Sequence, residues 1–376
     1  MNVAGLRERF PDLPDSEGMY AVGGAVRDLL SGRNPIDLDL TCIDAAQAAE
    51  VLARSIHGKV IVLGGERLAT WRVVCGSRIY DFAEITGGSI ENDLMRRDFT
   101  INAMAIEVAT GALIDPLQGA IDLRDKVIRM VRESNLGDDP LRILRGIRMA
   151  SAFAFTIEPE TLSAMVRLSP GVLQVAAERV RYELDTVLGT NGASSAVSLL
   201  RLCGLDRALF GEAFPSTRED QLARVNADRI SAYALLLEGH TDAEVREFAA
   251  RWRWSEADRR ALLSLRRLVF ATRSEGSIDA ALFEAGSETA DRAVTMLDGL
   301  GEERLRDLVS DRVRRGGETL FGMVTLLDGD EIAGLMATEA GPRIGVAKQA
   351  LLEAQLEGKV RNREEAELFV RALAEE

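Results

Sequence analysis

Lysine is nearly absent from this chain. Of its 46 basic residues only Lys59, Lys126, Lys348 and Lys359 are lysines. Almost every cation is therefore arginine, the side chain suited to forked contact with phosphates and base edges, although a GC-rich genome has the same effect. Three cysteines, Cys42, Cys75 and Cys203, stand far apart, which argues against a disulfide framework and against a cysteine zinc site. The two histidines, His57 and His240, are too few for a metallohydrolase that needs several His ligands. His57, at the end of a helical stretch, reads as structural. No apolar run approaches the roughly 20 residues of a membrane span, and MNVAGLRERFPDLPDSEG has no apolar core of a signal peptide. The expectation is a cytoplasmic protein without a membrane partner.

A formal net charge of −14 speaks at first sight against a polyanionic partner. The cations are not evenly spread, however. Arg124, Lys126, Arg129, Arg132, Arg142, Arg145 and Arg148 follow one another closely, and such a strip on an acidic body can hold a polyanion by its local field. A length of 376 residues suggests two to four domains.

The first 130 or so residues read as mixed α/β. GMYAVGG is a short strand ending in a glycine turn, and AVRDLLSG a short helix closed by Gly32. IDLDLTC alternates apolar and acidic residues as a strand does, and AAQAAEVLARSI is helical. KVIVLG, LATWRVVCG and SRIYDFAEI are strands, the last two joined by a hairpin at Gly76-Ser77. IENDLMRRDFTINAMAIEV reads as a helix feeding another ordered segment. From about Asp138 onward strand signals almost vanish and helical spacing takes over. EGSIDAALFEAGSE, DGLGEE and LLDGDE read as polar, glycine-bearing joints between helices. The fold class expected is α+β: a mixed sheet with helices, then an all-α region of several subdomains.

In IDLDL, Asp37 and Asp39 project to one side while Ile36, Leu38 and Leu40 face the core. Two carboxylates so close repel unless a cation lies between them, and a divalent metal is the usual remedy. Two such ions can activate an attacking hydroxyl and stabilise a leaving pyrophosphate. Asp81, in RIYDFAE, is the candidate for a third carboxylate, with Glu84 behind it. A D-x-D alone is common and is often just a pair of solvated aspartates. The preceding Gly23-Gly24, at a strand end before a helix, lets backbone N–H groups approach a triphosphate, with Arg27 one turn further on. The combination within eighteen residues is far more specific than either part.

GGAVRDLLSGRNPIDLDL (23–40) resembles motif A of the polymerase-β-like nucleotidyltransferase superfamily, as carried by the bacterial-type (class II) tRNA nucleotidyltransferase and poly(A) polymerase family. DLMRRDFTINAMA (93–105) is similar to the family's motif B, DPLQGAIDLRDKVIRMV (115–131) to motif C, and DDPLRILRGIRMASAFAF (138–155) to motif D. ERVRYELDTVL (178–188) resembles the helical motif that follows. The resemblance implies a nucleotidyltransferase head at 1–135, a helical neck for base recognition at 136–205, a helical body at 206–328 and a tail at 329–376, the last two binding tRNA. It implies Gly23, Gly24 and Arg27 at the triphosphate, Asp37 and Asp39 as ligands of Mg²⁺, and Arg97 on the incoming nucleotide. Asp139 and Arg142 would present a protein template to the Watson–Crick edges of cytosine and adenine, with Arg145 and Arg148 continuing toward phosphate. An Asp supplies acceptors and an Arg donors, which suits both edges; Asp139 before Pro140 would equally serve as a helix cap.

The implied activity is untemplated addition of CCA to the tRNA 3′ end from CTP and ATP, by a monomer or homodimer. Two departures from the family pattern matter. Asp138 stands where Glu is usual. The interval DFAEITGGSIEND (81–93) is short where many CCA-adding members carry a long loop, which leans toward addition of C-C alone. Poly(A) polymerase is a further alternative, weakened by the acidic ending FVRALAEE. A non-catalytic RNA-binding module is the rival from another class, and the presence of both Asp37 and Asp39 counts against it. Trp252 and Trp254 are expected to place one ring in the core and one at the surface; Met95 and Met104 are expected to pack.

Overall fold

The computed structural model describes residues 5–14, 16–35, 37–64, 69–225, 227–274, 278–338 and 341–375. Ile36, expected on the core face of its strand, lies outside them. Two compact units result. One comprises residues up to 184 together with 199–211, the other 185–198 together with 212 onward.

The first unit is built on a seven-stranded sheet of β1 (Tyr20–Val22), β2 (Asp37–Cys42), β3 (Lys59–Leu63), β4 (Thr70–Cys75), β5 (Arg78–Glu84), β6 (Ala105–Glu107) and β7 (Leu113–Ile114). Their order is β3-β4-β5-β2-β1-β6-β7. Only β2 and β5 run parallel, in a register that sets Asp39 beside Asp81. The β4–β5 hairpin turns at Gly76 and Ser77 as the sequence predicts, with Gly76 at φ +59°.

Alternation decides β2. Leu38 and Leu40 are buried while Asp37 and Asp39 remain exposed. The buried side joins Val26, Leu52, Val73, Tyr80, Phe82 and Met104 in one core. Cutting Leu38 back to Ala would cost about 2–5 kcal/mol there. Met95 is only half-buried.

Helices α1 (Gly5–Arg9), α2 (Gly24–Leu30), α3 (Ala45–Ser55) and α4 (Ile90–Leu94) accompany the sheet. Asp44 caps α3 by accepting the Gln47 N–H at 3.0 Å. His57 lies just past α3 at φ +54°, exposed in the turn. The helix expected around IENDLMRRD is one short turn, α4, after which a 3₁₀ turn (Thr100–Asn102) leads into β6. The chain continues through α5 (Gly119–Asp125), α6 (Glu133–Asp138), α7 (Leu141–Phe153), α8 (Pro159–Leu168), α9 (Ala177–Leu188), α10 (Ala193–Leu202) and α11 (Leu205–Phe210).

The second unit, as described, is helical: α12 (Thr217–Ala223), α13 (Arg229–Leu236), α14 (Asp242–Arg251), α15 (Glu256–Arg273), α16 (Ile278–Ala285), α17 (Ser287–Leu300), α18 (Glu303–Phe321), α19 (Gly329–Leu335), α20 (Pro342–Leu356) and α21 (Arg363–Glu375). Thr241 and Glu244 form a reciprocal capping box at the start of α14. Trp252 is buried, as is the body of Tyr233, and Trp254 packs edge-on against Tyr233 with ring centroids 4.6 Å apart. The EGSIDAALFEAGSE joint is corrected in part: Ile278–Ala285 is α16, with Leu282 fully buried, while 275–277 lie outside the described residues. Six apolar positions among the eight residues of the helix outweigh its flanking glycines. Toward the C-terminal end, Leu327, Ile332, Leu351, Val360 and Val370 share a core.

Candidate active site

The strand β1 ends at Val22 and the chain reverses at Gly23, with φ +69°. A side chain there is disfavoured by the backbone and would press on its neighbours. The conformation is one that L residues rarely adopt, and a Cβ would stand 3.2 Å from Arg97 Nη1 and 3.4 Å from Asp39 Oδ2. Gly24 opens α2, and a Cβ there would meet Arg27 Nη2 at 3.4 Å. The glycine pair thus lets a turn pass between a carboxylate and two guanidinium groups.

These residues line a cleft of about 430 Å³ within the first unit. The sheet supplies Asp39, with Asp81 at the same level on the neighbouring strand and Asp37 two residues along on the same face. Asp39 is exposed on the cleft, yet protein packs closely around it. That crowding raises its pKa, and the charges of Asp81 and Asp37 raise it further against the opposing pull of Arg97 and Arg145. Such a carboxylate gains from a cation.

Arg27 is fixed rather than free to sweep. Nη1 donates to Asn102 Oδ1 at 2.9 Å, Nε and Nη2 to Asp28 Oδ1 at 3.1 Å, and the guanidinium lies 4.7 Å from the centre of the Phe153 ring. Burial lowers its pKa and Asp28 counters that. Arg97 donates from Nη2 to Asp93 at 3.0 Å, an i,i+4 pair that holds it over the glycine turn.

The opposite wall is α7. Arg142, Arg145 and Met149 recur at helical spacing on its cleft face, with Arg148 beside them. Behind them lie acids that sequence reasoning missed. Asp98 is buried; its Oδ1 accepts the Phe99 N–H at 2.8 Å and Asn102 Nδ2 at 3.0 Å, and its Oδ2 accepts Arg145 Nε at 3.0 Å. Burial alone would raise its pKa. The charge of Arg145 and the hydrogen bonds from Asn102, Phe99 and Arg145 outweigh burial and hold it below the usual carboxylate value. Glu183 of α9, 2% exposed, accepts Arg148 Nε at 2.6 Å and lies 3.7 Å from Arg145. Burial pulls the Arg145 pKa down, and Asp98, Glu183 and Asp139 more than restore it.

At the start of α7, Asp139 divides its carboxylate. Oδ1 accepts the Leu141 N–H at 3.3 Å, and Oδ2 pairs with Arg179 at 2.9 Å. The capping role and a cleft position therefore coexist. Arg142 Nη1 donates to the Asn135 carbonyl at 3.1 Å, while Asn135 Nδ2 donates to the carbonyls of Met95 and Arg97. Asp138, at the end of α6, is exposed.

The structure thus gathers Gly23, Gly24, Arg27, Asp39, Arg97, Asp139, Arg142, Arg145 and Arg148 on one cleft, and adds Asp98, Asn102, Met149 and Arg179. Asp37 and Asp81 stand beside it; Glu84 is exposed at the end of β5. The basic strip does not hold together. Arg124 pairs with Asp125, and Arg129 with Asp122 and Glu158. Of the strip, only Arg142, Arg145 and Arg148 line the cleft.

Among the described residues no three His, Cys, Asp or Glu side chains form a ready metal cage. The adjacent Asp37 and Asp39 nonetheless fit a divalent ion of the kind held by one or two carboxylates and completed by substrate oxygens. Six cleft arginines suit a polyphosphate.

Residues 19–129 match the family model of the poly A polymerase head domain, and 154–220 that of a probable RNA- and SrmB-binding site of polymerase A. An A-adding tRNA nucleotidyltransferase of Deinococcus radiodurans is 31% identical, the match covering 99% of each chain. A CC-adding tRNA nucleotidyltransferase of Thermus thermophilus is 32% identical over 93% of this chain and 92% of its own. The crystal structure of the Bacillus stearothermophilus CCA-adding enzyme in complex with CTP superposes with a TM-score of 0.78 at 26% identity, covering 99% of this chain and 96% of that one.

Proposed function

Since the chain belongs to the tRNA nucleotidyltransferase and poly(A) polymerase family, we propose that its cleft transfers nucleotides from CTP and ATP to the 3′ end of tRNA, completing CCA without a nucleic-acid template. The observation that carries this reading is the joining of one exposed carboxylate pair, one glycine turn and six arginines around a single cleft. The substrate's 3′-OH attacks the α-phosphate, a new P–O bond forms, and pyrophosphate leaves with the electrons of the broken bond.

In this reading Gly23, Gly24 and Arg27 receive the triphosphate and Arg97 orients the nucleotide. Asp37 and Asp39 would hold Mg²⁺, with Asp81 beside them as a neighbouring acid, and the ion would supply activation of the attacking hydroxyl and neutralisation of the departing charge. Most of the protein's contribution is then positioning. Asp139 offers acceptors and Arg142 donors to the base edge, and their anchoring by Arg179 and by the Asn135 carbonyl keeps both in place. Arg145 and Arg148, braced by Asp98 and Glu183, hold the far side. Residues 1–135 serve as catalytic head and 136–205 as the base-reading neck; the body (206–328) and tail (329–376) hold the tRNA by shape and phosphate contacts. The enzyme works in the cytoplasm as a monomer or homodimer; no described helix is long and apolar enough to cross a membrane.

A second reading, addition of C-C alone, is favoured by one observation. The segment between β5 and α4 is a compact turn, Thr86–Gly88, with Gly87 and Gly88 at positive φ, pinned by Asn92 Nδ2 on the Gly87 carbonyl (2.9 Å) and by the Thr86 N–H on Asp93 Oδ1 (3.1 Å). Asp93 also holds Arg97, so the turn has little freedom to re-form for a second base.

Three tRNA transcripts ending at the discriminator base, at C and at CC, each given labelled CTP or ATP with Mg²⁺, decide the matter on a sizing gel. Full CCA on the first and one A on the third support complete addition. Arrest at CC with no use of ATP supports the second reading. No incorporation on any transcript overturns both.

A further inference from the structure

Asp81 is not an open ligand. Both its oxygens are taken by one guanidinium, Arg72 of the neighbouring strand β4, with Nε to Oδ1 at 2.8 Å and Nη2 to Oδ2 at 2.7 Å. Strand register makes this pairing: Arg72 lies directly across from Asp81 on one side, as Asp39 does on the other. The forked contact is the strong, geometrically specific form of an Arg–carboxylate pair. It occupies both oxygens of the acid that stands beside a metal-binding aspartate.

Resting on the proposed metal pair, we infer that Arg72 is a positioning residue of the metal site: it holds Asp81 out of direct coordination and cancels its charge, so that this chain offers a two-aspartate site matched to one divalent ion. Charge balance supports it. Three carboxylates with nothing between them would leave three negative charges in the row, whereas three with Arg72 leave two, the complement of a single divalent cation. A second ion then has to bring its own anionic partner, and the nucleotide's triphosphate is that partner. The influence is mutual: the carboxylates of Asp81, Asp37 and Asp39 all act on the Arg72 guanidinium. The side chain of Asp81 is 18% exposed and that of Arg72 is 36% exposed, so the pair is partly desolvated and acts on Asp39 through less than full solvent screening.

The test is Mn²⁺ binding to the full chain without nucleotide or tRNA, followed by the electron paramagnetic resonance signal of free Mn²⁺. Wild type should bind one ion. Arg72→Gln should tighten binding about tenfold, since one repelling charge is removed and a third carboxylate freed. Arg72→Lys, which keeps the charge, should remain within about threefold of wild type. Asp81→Asn should weaken binding, because Arg72 is then uncompensated beside the ion, and the Arg72→Gln/Asp81→Asn double variant should return toward wild type. Circular dichroism confirms that each variant is folded, and the double variant keeps the test decisive should Asp81→Asn unfold. If Arg72→Gln leaves Mn²⁺ affinity unchanged or weakens it, the inference is overturned. If Asp39→Asn leaves Mn²⁺ affinity unchanged, the underlying metal-pair reading fails instead, and the two failures are separately visible.

Discussion

The two walls of the cleft handle charge in opposite ways. On the sheet wall, Asp37 and Asp39 are exposed and, among the described residues, make no close ion pair; crowding and like charge press on Asp39 against the more distant pull of Arg97 and Arg145. On the helix wall, the arginines of α7 are backed by buried acids, Asp98 and Glu183, that fix their direction. Under the proposed function, a carboxylate pair without a close partner suits a cation that arrives, and an arginine row braced by acids suits a surface on which a substrate is measured. The same residue types, Asp and Arg, would then serve binding on one wall and discrimination on the other, according to the second partner of each pair.

The sharpest way to break this comparison is on the sheet wall. Asp39→Asn, nearly the same shape without the charge, should reduce nucleotide incorporation by about 10³-fold or more, while tRNA binding measured by filter retention stays within about threefold. Asp37→Asn should behave likewise. Loss of tRNA binding in parallel with activity would mean that the pair is structural.

The next largest effect is on the helix wall and is one of stability. Glu183→Gln or Asp98→Ala strips a buried partner from a partly exposed arginine, which costs about 1–3 kcal/mol. Both should lower the denaturant midpoint strongly, whereas Asp39→Asn should not. Equal destabilisation by all three would erase the contrast between the walls.

A pH titration sharpens it further. Asp98 titrates below the usual carboxylate value in the fold, because its hydrogen bonds and Arg145 outweigh burial. A depressed acid stabilises the fold above its unfolded pKa and loses that contribution as pH falls through its folded value. The stability gap between wild type and Asp98→Asn should therefore be full at neutral pH and close progressively in acid below the ordinary aspartate range. A gap that is constant down to that range and beyond would show that packing, not charge, explains it.

What was legible in the sequence follows from local physics. Alternation in IDLDL set the two carboxylates on one face, and Gly23 marked a turn whose positive φ favours glycine. Helical spacing placed Arg142 and Arg145 on one side of α7. What was not legible depends on partners distant in sequence. In RRD at 96–98 the sequence singled out Arg97 and passed over Asp98, which is buried and meets Arg145, 47 residues on. Glu183 is 35 residues from Arg148. The pairing of Arg72 with Asp81 needed the strand register. The signal for Asp98 was available in its neighbours: an acid immediately before the apolar FTINAMA has few ways to remain solvated. The basic strip misled for the converse reason, since local acids such as Asp122 and Asp125 neutralise its first half.

The central claim is that the sheet wall performs the transfer and the helix wall chooses the base. Single-turnover incorporation by Arg142→Ala, with CTP and ATP measured in parallel by rapid quench, tests it most directly. The account predicts that the maximal rate with the correct nucleotide stays within about tenfold of wild type, while the CTP/ATP preference at a given 3′ end collapses. A rate that falls steeply and equally for both nucleotides, with the preference intact, would contradict it and return Arg142 to the general business of holding phosphate.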